Sequence, residues 1–129
     1  MSHVLVIEDS YLFAQYLSDI AMMAGAQSVA VVSNQRDAIA AARRHQPHLI
    51  LSDVNLEDGN GPAAVNTIVA NQGDMPVIFV TGHRLKHSAF PKDSMILNKP
   101  VSPDALLAAI ANALFQKGLT NGHVGAIWN

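Results

Sequence analysis

Hydrophobic positions along this chain fall into two alternating kinds of segment: short β-branched runs, and longer stretches in which apolar residues recur every three or four positions. Uninterrupted short runs predict strands covered on both faces, the longer spacing predicts amphipathic helices, and their alternation is the pattern of βαβ units around a parallel sheet. Strands are expected at about 3–8, 29–32, 48–52, 77–80 and 94–97. The first helix starts from Ser10 as cap, carries Leu12, Phe13, Tyr16, Leu17, Ile20 and Ala24 at helical spacing, and stops at Gly25. Met22 and Met23 are expected in the core. Asn34 caps an alanine-rich helix ending near His45, with Arg43 and Arg44 in the last turn where cations complement the dipole. The glycine- and asparagine-rich segment 55–61 reads as a loop, and Pro62 suits the first turn of a helix reaching about Asn71. Ser102, Pro103 and Asp104 mark the start of a last helix that buries Leu106, Leu107, Ile110 and Leu114 before Gly118.

Each of four predicted strands ends in a group able to hold a metal or a phosphoryl group: Glu8-Asp9, Asp53, Thr81 and Lys99-Pro100. In an open parallel α/β sheet the carboxyl ends of the strands line one crevice, so four distant segments are expected to converge on one site. Clustered carboxylates raise one another's pKa unless a cation neutralises them, which implies a metal. Oxygen-only donors shared with phosphate favour Mg²⁺. Asp53, Asn55 and Gly59 only loosely follow the acidic spacing of a calcium loop and lack its terminal glutamate. Lys99 supplies a compact charge for a phosphate oxygen, Thr81 a hydroxyl donor, and Asp53 a carboxylate nucleophile able to form an acyl phosphate.

Composition narrows the function classes. The chain has 129 residues, half of them hydrophobic, and is expected to be one soluble domain over 1–118 with a tail at 119–129. Eight basic against ten acidic residues, with no basic run, leave no surface for nucleic acid. The absence of cysteine excludes disulfides and thiolate-bound metals. No apolar stretch approaches the ~20 residues of a membrane span, so no membrane association and a cytoplasmic location are expected. His83 and His87 have helical i, i+4 spacing without an evident third ligand, and surface or capping roles are the simpler reading.

Taken in order, Glu8-Asp9, Asp53-Val-Asn55, Thr81 and Lys99-Pro100 make the chain resemble the receiver domain of bacterial two-component response regulators, over about residues 3–117. The resemblance implies a flavodoxin-like, doubly wound five-stranded parallel sheet of order 2-1-3-4-5. It implies a Mg²⁺ site at Asp9, Asp53 and the backbone carbonyl of Asn55, with Glu8 acting through water. It also implies a phosphoacceptor rather than an enzyme in the usual sense: Asp53 takes a phosphoryl group from a sensor histidine kinase or a histidine phosphotransfer protein, the domain catalyses its own phosphorylation and dephosphorylation, and it signals to a downstream protein by contact. His83, two residues after Thr81, borders the phosphoryl group in such domains and is expected to tune its lifetime.

Two departures are expected to alter the output face. Ile96 stands where most receivers carry a Tyr or Phe, and only 18 positions separate Thr81 from Lys99, so the fourth helix should be shortened or replaced by an irregular segment over Leu85 to Lys92. With Phe79-Val-Thr-Gly-His83, this looks like an alphaproteobacterial subgroup of receivers, some of them stand-alone, that work with stress-response histidine kinases. A rival reading is an aspartyl-nucleophile phosphohydrolase, but Asn55 occupies the place of its general acid and donates no proton. A degenerate receiver that binds partners without phosphorylation is the other alternative, against which the full acidic set speaks. Val124, Ile127 and Trp128 in the tail are open to disorder, to packing on the domain, or to partner binding.

Overall fold

A computed structural model describes residues 2–82, 90–91 and 94–119. In chain order the elements are β1 (His3–Ile7), α1 (Tyr11–Met23), β2 (Ser28–Val32), α2 (Gln35–Arg44), β3 (Leu49–Ser52), α3 (Gly61–Gln72), β4 (Val77–Thr81), β5 (Met95–Asn98) and α4 (Pro103–Leu119). All strands pair in parallel, in the order β2-β1-β3-β4-β5. That is the expected flavodoxin-like doubly wound sheet.

The uninterrupted hydrophobicity of the central strands divides by parity. Val4, Val6, Leu49, Leu51, Ile78 and Val80 face one layer, built from Ala14, Leu17, Ile20 and Ala21 of α1 and Leu106 and Ile110 of α4. Leu5, Ile7, Ile50, Val77 and Phe79 face the other, built from Ala38, Ala41 and Ala42 of α2 and Ala64, Val65 and Ile68 of α3. A strand side chain changes face at every residue, so each strand supplies two cores at once. The small residues of α2 and α3 let those helices lie close on the sheet, where β-branched and aromatic strand residues fill the space.

The expected caps form. Ser10 Oγ accepts the Phe13 N–H, Asn34 Oδ1 accepts the Asp37 N–H, and Ser102 Oγ accepts the Ala105 N–H. Asn60, expected within the loop over 55–61, instead caps α3 by accepting the Ala63 N–H at 2.8 Å. Met22 and Met23 correct the expectation of burial: they are 50% and 70% exposed. The inward stripe of α1 runs through Ala14, Leu17 and Ala21, and at about 100° per residue the two positions after Ala21 rotate away from the sheet. Tyr11 and Leu12, at the start of the same helix, are also exposed. Leu107 and Leu114 of α4 are half-buried beside fully buried Leu106 and Ile110. The expected irregular segment over Leu85 to Lys92 lies, except for residues 90–91, outside the described residues, together with His83 and His87, as do tail residues 120–129 with Val124, Ile127 and Trp128. No helix among the described residues is long and apolar enough to cross a membrane.

Candidate functional site

The carboxyl ends of β1, β3, β4 and β5 lie side by side in the sheet, and the residues that follow them meet there. The β1 chain leaves through a Glu8 N–H bond to the Val32 carbonyl at 2.9 Å, and the β3 chain through an Asp53 N–H bond to the Ile7 carbonyl at 2.9 Å. These two ladder bonds fix the acidic pair opposite Asp53. One carboxylate oxygen from each of Glu8, Asp9 and Asp53 lies within 4.8 Å of the others. Lys99 reaches the same point from the end of β5, with Nζ 3.4 Å from Glu8 Oε1 and 3.5 Å from Asp53 Oδ2.

Backbone donors orient the acids individually. Glu8 Oε2 accepts the Ser10 N–H at 3.0 Å, Asp9 Oδ2 accepts the Glu57 N–H at 2.7 Å, and Asp53 Oδ1 accepts the Val54 N–H at 2.7 Å. Glu8 is buried at 2% exposure, and that burial raises its pKa above the ordinary carboxylate value. The Asp53 charge and the Asp9 side chain push the same way, whereas the Ser10 N–H and the Lys99 ammonium oppose them. With three carboxylates and one ammonium, the cluster carries excess negative charge when fully ionised. An oxygen-only set this closely grouped fits one small hard cation.

Thr81 closes β4, fully buried, and its carbonyl accepts the Lys99 N–H at 2.8 Å, so the threonine and lysine backbones are joined directly. The Lys99-Pro100 peptide is cis. Asn55 lies on the exposed loop two residues beyond Asp53 and forms an isolated antiparallel bridge with Asn60. That loop is tied to α2, because the Gln35 N–H donates to the Asp58 carbonyl and Gln35 Oε1 accepts the Asn60 N–H, each at 3.2 Å. Glu8, Asp9, Asp53, Asn55, Thr81 and Lys99 therefore lie at this end of the sheet, with Glu8, Asp9, Asp53 and Lys99 in one cluster.

Three contributors escaped the sequence reading. Phe13 lies under Lys99, its ring centroid 4.1 Å from Nζ. Gly61 passes so close to the Asp53 carbonyl and Ser52 Oγ that a Cβ there would collide with both. Buried Ser52 donates its hydroxyl to that same carbonyl at 2.7 Å. Of the three, Gly61 left a trace, since a glycine between a capping residue and Pro62 at a helix start suggests close backbone approach.

Residues 4–111 match the family described as response regulator receiver domain. The phyllosphere-induced regulator PhyR of Methylorubrum extorquens is 32% identical over 118 residues, covering 88% of this chain and 44% of that protein. The crystal structure of the anti-anti-sigma factor PhyR from Bartonella quintana superposes with a TM-score of 0.77 at 32% identity, over 94% of this chain and 51% of that one. The chain thus spans about half the length of these relatives. A CheY-like receiver domain protein from Methanospirillum hungatei matches the fold alone, with a TM-score of 0.81 at 22% identity over 95% of this chain and 99% of that one. Both PhyR relatives fit the receiver subgroup that the Phe79–His83 segment is similar to.

Proposed function

The chain belongs to the response regulator receiver domain family, and from that premise we propose that Asp53 accepts a phosphoryl group from a phosphohistidine on a histidine kinase or histidine phosphotransfer protein. The observation that carries this reading is the Lys99 ammonium held 3.5 Å from the Asp53 carboxylate, with Glu8 and Asp9 beside it. An Asp53 carboxylate oxygen attacks phosphorus in line, the P–N bond breaks, and the departing imidazole nitrogen keeps the electron pair and takes up a proton. Lys99 pairs with a phosphoryl oxygen, and the Thr81 hydroxyl turns to donate to another. Asp9, Asp53 and the Asn55 carbonyl would hold Mg²⁺, with Glu8 behind them through water; when bound, the ion offsets the charge that builds up on the phosphoryl oxygens. Attack of water on the acyl phosphate at the same site returns the carboxylate, so the domain resets itself.

The acyl phosphate puts about −1.5 to −2 charges at the strand ends in place of the single negative charge of the Asp53 carboxylate. The Thr81 backbone is bonded to Lys99 and β4 pairs with β5, so the change reaches the face around Ile96. Output is contact with a downstream protein. The likeness to the PhyR anti-anti-sigma factor of Bartonella quintana makes a regulator of transcription-factor availability the first class of partner to examine. The test is incubation with Mg²⁺ and a small acyl phosphate or phosphoramidate, followed by intact-mass measurement. Wild type is expected to gain one phosphoryl group and Asp53→Ala none. An unmodified wild type, or equal modification of both, overturns the assignment; a partner bound equally by wild type and Asp53→Asn, with and without donor, would indicate phosphorylation-independent binding.

A further inference from the structure

Lys99 is not pinned by its carboxylates. Its 3.4 Å and 3.5 Å separations from Glu8 and Asp53 are longer than the roughly 2.7–2.9 Å of a well-formed charge-assisted hydrogen bond. A lysine side chain also has rotamer entropy to lose on being fixed, and this one is 28% exposed. The third contact is of another kind. The Phe13 ring lies 4.1 Å from Nζ, within the reach at which an aromatic face attracts an ammonium.

That ring is itself held in place. Phe13 stands in the first turn of α1, where its N–H donates to the Ser10 cap at 3.4 Å, and its ring tilts against Tyr16 at a centroid distance of 5.6 Å. The Tyr16 hydroxyl donates to the Val101 carbonyl at 3.4 Å. Two aromatic residues one turn apart on α1 thus grip the segment 99–101 from both ends, Phe13 at the ammonium and Tyr16 at the backbone two residues on. We propose that Phe13 and Tyr16 are positioning residues for phosphoryl transfer, holding the Lys99 ammonium over the Asp53 carboxylate. The inference rests on the reading of Asp53 as phosphoacceptor. On phosphorylation the anionic partner of Lys99 changes from the Asp53 carboxylate to a phosphoryl oxygen, whereas the ring's attraction for the ammonium is the same before and after, so Phe13 keeps Lys99 in place through the step.

The test uses the full chain with Mg²⁺ and acetyl phosphate, following phosphoprotein formation by intact mass, together with NMR of the Lys99 ε-methylene. Phe13→Leu preserves apolar packing but removes the π face; Phe13→Tyr restores it. In wild type and Phe13→Tyr the ring displaces the Lys99 ε-proton resonances, and in Phe13→Leu they return to ordinary lysine positions. Phosphorylation of Phe13→Leu is expected to slow about five-fold, that of Phe13→Tyr to stay within about two-fold of wild type, and Tyr16→Phe, which loses only the hydroxyl, to fall between them. Undisplaced Lys99 resonances in the wild type overturn the inference. So does equal phosphorylation of wild type and Phe13→Leu, or a Phe13→Tyr as slow as Phe13→Leu. Displaced resonances in a wild type that takes up no phosphate sink the phosphoacceptor reading while leaving the Phe13 contact in place.

Discussion

Replacing Gly61 with Ala is the sharpest probe of how the Asp53 backbone is held. The new Cβ would meet the Asp53 carbonyl oxygen and Ser52 Oγ, and since the first is backbone, relief requires a shift of the chain rather than of a side-chain tip. Overpacking of this kind costs about 2 kcal/mol. The shift also threatens the Gly61 N–H bond to the Val54 carbonyl and the Ser52 hydroxyl bond to the Asp53 carbonyl; losing one adds about 1 kcal/mol. Against this, Ala restricts the unfolded chain and returns about 0.7 kcal/mol. The net loss is about 2 kcal/mol, which for a chain of 129 residues lowers Tm by about 7 °C. Thermal unfolding followed by far-UV circular dichroism gives the number, and a Mg²⁺ titration of the same variant should show weaker binding, because Asp53 moves with its carbonyl. Gly82→Ala, whose Cβ meets open space, is the control and should change Tm by less than about 2 °C. A Gly61→Ala protein that melts with wild type and binds Mg²⁺ equally well would refute the reasoning.

His3 is buried, and burial first, then the neighbouring His45 and His48, lower its pKa below 6.5, with the Ser28 bond opposing. The unfolded chain therefore takes the proton first, so the stability His3 contributes is whole above about pH 6.5 and is lost as pH falls toward the folded value. Urea midpoints measured from about pH 7.5 to 5.5 should fall more steeply for wild type than for His3→Leu, and parallel curves would argue against it. Glu8→Gln relieves carboxylate crowding around a buried acid, so the metal-free variant should melt higher than wild type yet gain less from added Mg²⁺; a lower metal-free Tm contradicts the crowding argument. Ile68→Ala empties a fully buried site and should cost about 2–5 kcal/mol in urea unfolding, whereas Met23→Ala, at 70% exposure, should cost less than about 0.5 kcal/mol. Comparable losses for the two would return Met23 to the core.

The parts of this fold that the sequence revealed are those encoded locally. Unbroken runs such as Val4 to Ile7 and Val77 to Val80 had to be strands buried on both sides, and Ser10, Asn34 and Ser102 announced their helices by capping chemistry alone. The convergence of Glu8, Asp9, Asp53 and Lys99 followed from placing each at a strand end. Hydrophobicity without phase misplaced Met22 and Met23, since an apolar residue next to a buried one on a helix points about 100° away from it. Contacts between distant residues were out of reach: nothing local pairs Phe13 with Lys99, or Tyr16 with Val101.

The alternation of β1 between its two layers reaches beyond packing. Deleting one residue from Val4 to Ile7 would send each side chain after the deletion to the opposite face and exchange the orientations of the two acids that follow, putting an aspartate where the buried, lysine-paired glutamate belongs. The phase that sorts aliphatic side chains between the helix layers also decides which acid faces inward, so a frame slip in this strand would damage the fold and the chemistry together.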